Sequence, residues 1–289
     1  MRRVLRGVAM VGVLTLSVGA GVAHAGAGKK KGMDGTGVDV SFNCFGVADS
    51  VGDAGSPLSY VADAVEIQHG SASVFLEGSA SAALPGDGLT SPLHGASASL
   101  GTPSLALQPS DFCDTSAGSV LASVVTGSHL LDPTATGWAD VEFHVHYDAI
   151  LHSEGTGGIF TAYTGTELAV LGVSFDSFEV TASGDIVSAP PGFSVTESII
   201  DGARVSVISG LLVIPGQLAF GKGATNTIES TFFAGGFLES VSTDGATIVA
   251  GVAAAEALDT ISYEIKSLDP NVVFAFEEVP DPNAEPAAE

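Results

Sequence analysis

From Asp140 to Asp148 the chain reads DVEFHVHYD, alternating polar and apolar side chains with a period of two. In an extended strand successive side chains point to opposite faces. Asp140, Glu142, His144, His146 and Asp148 therefore share one side, and Val141, Phe143, Val145 and Tyr147 share the other. A helix would scatter these residues around its circumference, whereas a half-buried strand separates them cleanly.

Related segments recur from Val38 onward, among them VDVSFNCFGV, LSYVADAVEIQ, SASVFLEGSA, GIFTAYTG, FSVTESII and DTISYEIKSL, separated by Gly, Pro, Asp and Ser. Many short strands with turn residues at close intervals predict an all-β domain, a β-sandwich or jelly roll with long Gly/Ser/Ala-rich loops, rather than βαβ units. The 37 glycines suit that abundance of turns. A single domain is expected over residues 38–276. Within it, Gly78 to Pro109 is so rich in Ser, Ala, Gly and Pro that it reads as long loops with one or two edge strands. Only VAAAEAL, Val252 to Leu258, has helix-forming composition over two turns.

The ends carry different signals. In residues 1–25, Arg2, Arg3 and Arg6 precede an apolar stretch and Ala23 and Ala25 bracket His24, the layout of a secretory signal cleaved after Ala25. Residues 26–37, with Lys29 to Lys31, read as a flexible leader, and residues 277–289 as a disordered acidic tail containing Pro. No later stretch has the roughly 18 uninterrupted apolar residues of a membrane helix, so no integral membrane segment is expected after signal cleavage. Aromatic residues, at 7%, are scarce for the girdles of an outer-membrane barrel. The expected location is outside the cytoplasm: extracellular space, cell surface or periplasm.

Charge and cysteines agree with export. Removing three of the 9 basic residues with the signal leaves 6 against 33 acids, a net charge of −27 with His neutral. Such a polyanion repels phosphate backbones, which excludes nucleic acid as a partner and disfavours anionic lipid. Cys44 and Cys113, two cysteines in an exported chain, predict one disulfide. At this level the chain resembles bacterial exosortase-sorted surface proteins of the PEP-CTERM type: a secretory signal, a Gly/Ser/Ala-rich β body with one cysteine pair, and a last strand running into EVPDP. That family continues from a Pro-Glu-Pro signal into an apolar anchor and a basic end; here Pro280-Asp281-Pro282 stands without either. The resemblance implies an exported surface or matrix protein with a β-sandwich body.

The chemistry-bearing candidates start with His144 and His146. Residues i and i+2 on one strand face can converge on one ion, but zinc needs a third protein ligand, with His69, His94, His129, His152 and Glu154 available by type. GWADVEFHVHYDAILHSEG is similar to the cupin pattern, a jelly-roll family with His-x-His followed by Glu and a distant His. Gly137, His144, His146 and Glu154 match it. Glu154 falls several residues late, and Pro215-Gly216 has no His beyond it. That resemblance implies a metal-dependent enzyme with His144, His146 and Glu154 as ligands; the competing reading is the wet face of an antiparallel sheet.

Other motifs carry less. GQLAFGKG, Gly216 to Gly223, lacks the Ser/Thr of a phosphate loop, and no GxSxG elbow is present. The Asp-rich stretches DSVGD (Asp49 to Asp53), GDG (Gly86 to Gly88) and STDG (Ser242 to Gly245) do not follow the calcium loop. Trp138 reads as an anchor in the core or at its rim, and Tyr60, Tyr147 and Tyr163 as the exposed aromatics available to a sugar. The reading is a non-enzymatic exported surface or matrix protein needing no cofactor, with a glycan, a cell-surface component or a second copy as candidate partner. Its alternative is the cupin-like enzyme, and the only cofactor the residues suggest is a divalent metal, Ca or Zn.

Overall fold

A computed structural model describes residues 35–277, apart from 55–57, 71, 87–88, 110, 171–172, 185 and 201–202. The expected signal peptide, most of the leader and all but the first residue of the tail lie outside the described residues. Every described element is a strand: β1 (Gly35–Cys44), β2 (Val47–Ala54), β3 (Leu58–His69), β4 (Ala72–Ala83), β5 (Leu93–Leu107), β6 (Phe112–His129), β7 (Gly137–Thr156) and β8 (Gly158–Val170). There follow β9 (Val173–Ser183), β10 (Ile186–Ser188), β11 (Ser194–Ile200), β12 (Ala203–Phe220), β13 (Thr225–Ser240), β14 (Thr247–Ser267) and β15 (Val272–Phe276).

The strands form two antiparallel sheets packed face to face, an all-β sandwich. One runs β10-β9-β8-β13-β6-β1-β2, with β15 on the same edge of β6 beyond β1; the other runs β11-β12-β7-β14-β5-β4-β3. Neighbours in the middle of each sheet are distant in sequence, because the chain crosses between the layers at β2–β3, β5–β6, β6–β7, β7–β8, β10–β11, β12–β13, β13–β14 and β14–β15. No described element is a helix, so none can span a membrane as one.

Period-two burial builds the core. On β6 the inward row is Cys113, Thr115, Ala117, Ser119, Leu121, Ser123 and Val125; on β7 it includes Val141, Phe143, Val145, Tyr147, Ala149 and Leu151. The buried apolar residues fall into two clusters, a larger one containing Phe42, Leu76, Leu100, Leu121 and Phe232 and a smaller one containing Val125, Phe143, Leu168, Ile228 and Tyr263.

Several sequence expectations need correction. Leader residues 35–37 already belong to β1, where Gly35 and Gly37 stand opposite Ala122 and Val120. Gly78 to Pro109 is not mainly loop: β5 fills most of its second half and is an interior strand between β14 and β4. Its Ala96, Ala98 and Leu100 are buried while Ser97 and Ser99 face outward. The alternation is thus present but carried by small residues, whose hydropathy contrast is weak. VAAAEAL belongs to β14, with Ala253, Ala255 and Ala257 buried, because ladders to both β5 and β7 outweigh local helix propensity. The Asp49 to Asp53 stretch lies in β2 rather than in a turn.

Two local devices shape the sandwich. The β1–β2 hairpin turns through Phe45 (φ 51°) and Gly46 (φ 75°), the left-handed pair of a two-residue turn, and the Phe45 ring stacks on His69 at 4.0 Å. On the other side, β11 covers β12 only from Ala203 to Ser209. Beyond that the β12 edge is blunted by Pro215, which has no N–H, and by the buried Asn226 carboxamide, which accepts from the Ala219 N–H at 2.9 Å and donates to its carbonyl at 3.0 Å.

Candidate functional site

The histidine strand lies in the middle of its sheet, with β12 on one side and β14 on the other. Its polar side faces outward, as the alternation requires. There the groups pair with near neighbours: His144 Nε2 meets Glu142 Oε2 at 2.9 Å, and Gln217 Nε2 donates to Asp140 Oδ1 at 2.7 Å. Val213 and Glu264 flank His144; Leu211 and Ser262 flank His146. Glu154 sits eight residues beyond His146 on the same strand, roughly 26 Å away at strand rise, beside His152 at 3.6 Å.

The remaining histidines are dispersed. His69 stacks on Phe45, and His129 holds the β6–β7 loop by accepting at Nδ1 from the Asp132 N–H at 3.0 Å. His94 is sealed inside the sandwich. The structure therefore does not bring His144, His146 and Glu154 together, and among the described residues no group of three or more His, Cys, Asp or Glu is placed to hold a metal ion.

His94 defines a buried polar layer between the two apolar clusters. Its Nδ1 lies 2.8 Å from Ser119 Oγ and its Nε2 2.7 Å from Ser230 Oγ. One ring nitrogen donates to one serine, and the other accepts from the second hydroxyl. Burial pushes its pKa down to about 3, so the ring is neutral. Tyr263 is equally buried, and burial raises its phenol above the ordinary value against a small opposing effect of Ser123 and Ser230. His94, Ser119, Ser230 and Tyr263 are all buried, so the layer lies inside the sandwich.

The outer face of the other sheet carries an arrangement that sequence reading missed. Tyr163 on β8 lies across β13 over Gly235, where a Cβ would collide with the ring, and its hydroxyl donates to Asp114 Oδ1 on β6 at 3.1 Å. Phe233 flanks Tyr163 with ring centroids 6.3 Å apart, and Phe237 stacks on Phe112 at 6.0 Å. Beside these rings run Asn43, Ser41 and Ser116, the last two hydrogen-bonded at 2.8 Å. Burial lifts Asp114 to about 6 and also raises Asp39 and Glu239. A signal existed in FFAGGF, Phe232 to Phe237: Phe233 and Phe237 are an even number of residues apart and so share a face.

Expected platform aromatics are redistributed. Tyr147 is in the core and Tyr163 is only 7% exposed, whereas Tyr60, at 64%, and Trp138, at 61%, face solvent. Trp138, expected as an anchor in the core or at its rim, is not in the core. It lies on the outer face, opposite Ala219.

Asp114 gives a pH test of this geometry. Its folded pKa of about 6 exceeds the ordinary 3.8, so between those values the folded state keeps a proton that the unfolded chain has lost. Stability then falls as pH rises from 4 to 6, by about 3 kcal/mol in all. Asp114→Asn is expected to match the native protein below pH 4 and exceed it by up to that amount above pH 6. Urea unfolding across the range checks this, and a constant difference would refute the assignment.

The concavities are modest. A groove of about 480 Å³ crosses the outer face of β3, β4 and β5 between Ala62, Ala64, Glu77, Ser79, Ser97 and Ser99. A crevice of about 330 Å³ between the sheet edges includes Ser153, Glu154 and Ser206, with Arg204 at its rim held by Glu197 at 2.6 Å. Compared with known proteins, the chain matches no family model, no curated protein and no solved structure.

Proposed function

We propose that this chain is an exported protein of the cell surface or extracellular matrix that acts without catalysis, holding an extended partner against a flat face of the sandwich. The observation that carries the reading is the layout of the reactive side chains. On the His strand they pair with neighbours along an open face, on the opposite sheet they form a strip, and the most perturbed histidine is sealed in the core. An extended polymer or a broad protein surface can use such a face, whereas chemistry on a small substrate needs converging groups in a water-excluding pocket. The Cys44–Cys113 bond supports the compartment, since structural disulfides persist in oxidising surroundings.

Expression of the full chain in a Gram-negative host, followed by fractionation, tests the reading. The expected result is recovery outside the cytoplasm, beginning at Gly26, with no free thiol and no stoichiometric metal. Retention in the cytosol with both thiols free would overturn the location. A bound transition metal that is lost in His144→Ala would replace the binding role with the cupin-like one.

A further inference from the structure

Resting on that reading, we propose that the outer face of the eight-stranded sheet, centred on Phe112, Phe237, Phe233 and Asp114, binds a neutral oligosaccharide chain. The face offers two kinds of contact side by side. The first is a strip of rings. Phe233 and Phe237 are four residues apart on β13, roughly 13 Å at strand rise, each next to a second ring, Tyr163 and Phe112 respectively. Phe112 is 42% exposed and Phe233 and Phe237 are partly so, while Tyr163 lies lower and braces Asp114. The electropositive C–H groups on a pyranose face meet the negative face of such rings.

The second is a strip of hydrogen-bonding groups. Asp114, Ser116, Asn43, Ser41 and Ser50 lie on the neighbouring strands β6, β1 and β2, in register with one another. They supply the donors and acceptors that sugar hydroxyls need, in two rows that run across the strands beside the rings, Asp114 with Asn43 next to Phe237 and Ser116 with Ser41 and Ser50 next to Gly235. The distance between the two ring pairs requires several consecutive sugar units, so a single monosaccharide covers only one pair.

Charge narrows the class. No Lys or Arg stands on any strand of this sheet, while Asp39, Asp114, Glu167, Glu229 and Glu239 project from its outer face. Uronate, sulfated or phosphorylated glycans would be repelled. A basic peptide would find carboxylates there, and the lysine hexapeptide below is the comparator that tests it. Uncharged hydroxyls fit both strips.

Isothermal titration of the mature protein tests this with β-1,4-linked hexasaccharides of glucose, mannose, galactose and xylose, with glucose, an alginate hexasaccharide and a lysine hexapeptide as comparators. At least one neutral hexasaccharide should bind, with glucose at least about tenfold weaker. Phe112→Ser and Phe237→Ser should each cost about tenfold or more in affinity, Phe237→Tyr should retain binding and so control for folding, and Trp138→Ala on the opposite sheet should change nothing. Absence of binding to all four neutral chains, tighter binding of alginate or the lysine peptide, or indifference to both serine variants would overturn the inference. If a protein recovered from outside the cell binds none of them, this site falls and the surface reading stands; cytosolic retention removes the reading itself.

Discussion

Replacing His94 by alanine should cost about 4 kcal/mol, the sum of a cavity between two apolar clusters and two serine hydroxyls left without their partner. Ser119 and Ser230 come from adjacent strands of one sheet, β6 and β13, and His94 from β5 of the other, so the imidazole fastens the layers at their centre. The combination His94→Leu, Ser119→Ala and Ser230→Ala should recover most of the loss, because removing all the polar partners together leaves none buried and unpaired. Urea unfolding with an unchanged m-value measures both. A loss below about 1 kcal/mol for His94→Ala would mean that the layer does not fasten the sheets.

The same side chain sets how the protein responds to acid. The unfolded ring takes up a proton below about 6.5, whereas the folded ring stays neutral to about 3. Between these values the unfolded state holds more protons. Stability therefore falls with falling pH, by about 1.4 kcal/mol per unit and roughly 5 kcal/mol in all. Asp114 has the opposite slope from pH 6 to 4, so the two nearly cancel in that window, and most of the net acid loss from this pair falls below 4. Asp114→Asn unmasks the histidine slope from pH 6.5 downward. In His94→Ala that slope is absent, and a native-like acid profile there would show that the burial of His94 is not its source.

How much of this was legible follows from contrast in the sequence. β7 was readable because Val, Phe and Tyr alternate with Asp, Glu and His, and its faces are as the period requires. β5 was obscured because Ala and Ser differ little in hydropathy, although the same period governs them. VAAAEAL misled through local propensity, which pairing on both sides overrides. The histidine pair was visible as a pattern, but the distance to Glu154 depends on both staying on one straight strand. The Tyr163–Asp114 contact joins residues 49 apart across an intervening strand, and no local signal encodes that order. Gly235 marks it only after the fact, as the position where a side chain would block the crossing ring.

The cysteine pair is the long-range link that the sequence did predict, and breaking it should have the second large effect. Cys44 and Cys113 stand directly opposite in the β1–β6 ladder, fully buried, with Cα atoms 4.1 Å apart and a sequence separation of 69. On the chain-entropy model, closing a loop of that length stabilises by about 4 kcal/mol. Because β1 carries the edge strand β2 and contributes Val38, Val40 and Phe42 to the core, the loss should spread beyond the hairpin. The Cys44→Ala/Cys113→Ala protein should unfold at lower urea by that amount, and amide exchange should quicken in β1 and β2 before β7 and β14 respond. Equal stability with and without the bond would mean that the unfolded chain is already compact around these strands. Uniform acceleration in both sheets would instead mean that β1 and β2 do not open as a separate unit, because their core contacts bind them to the rest of the sandwich.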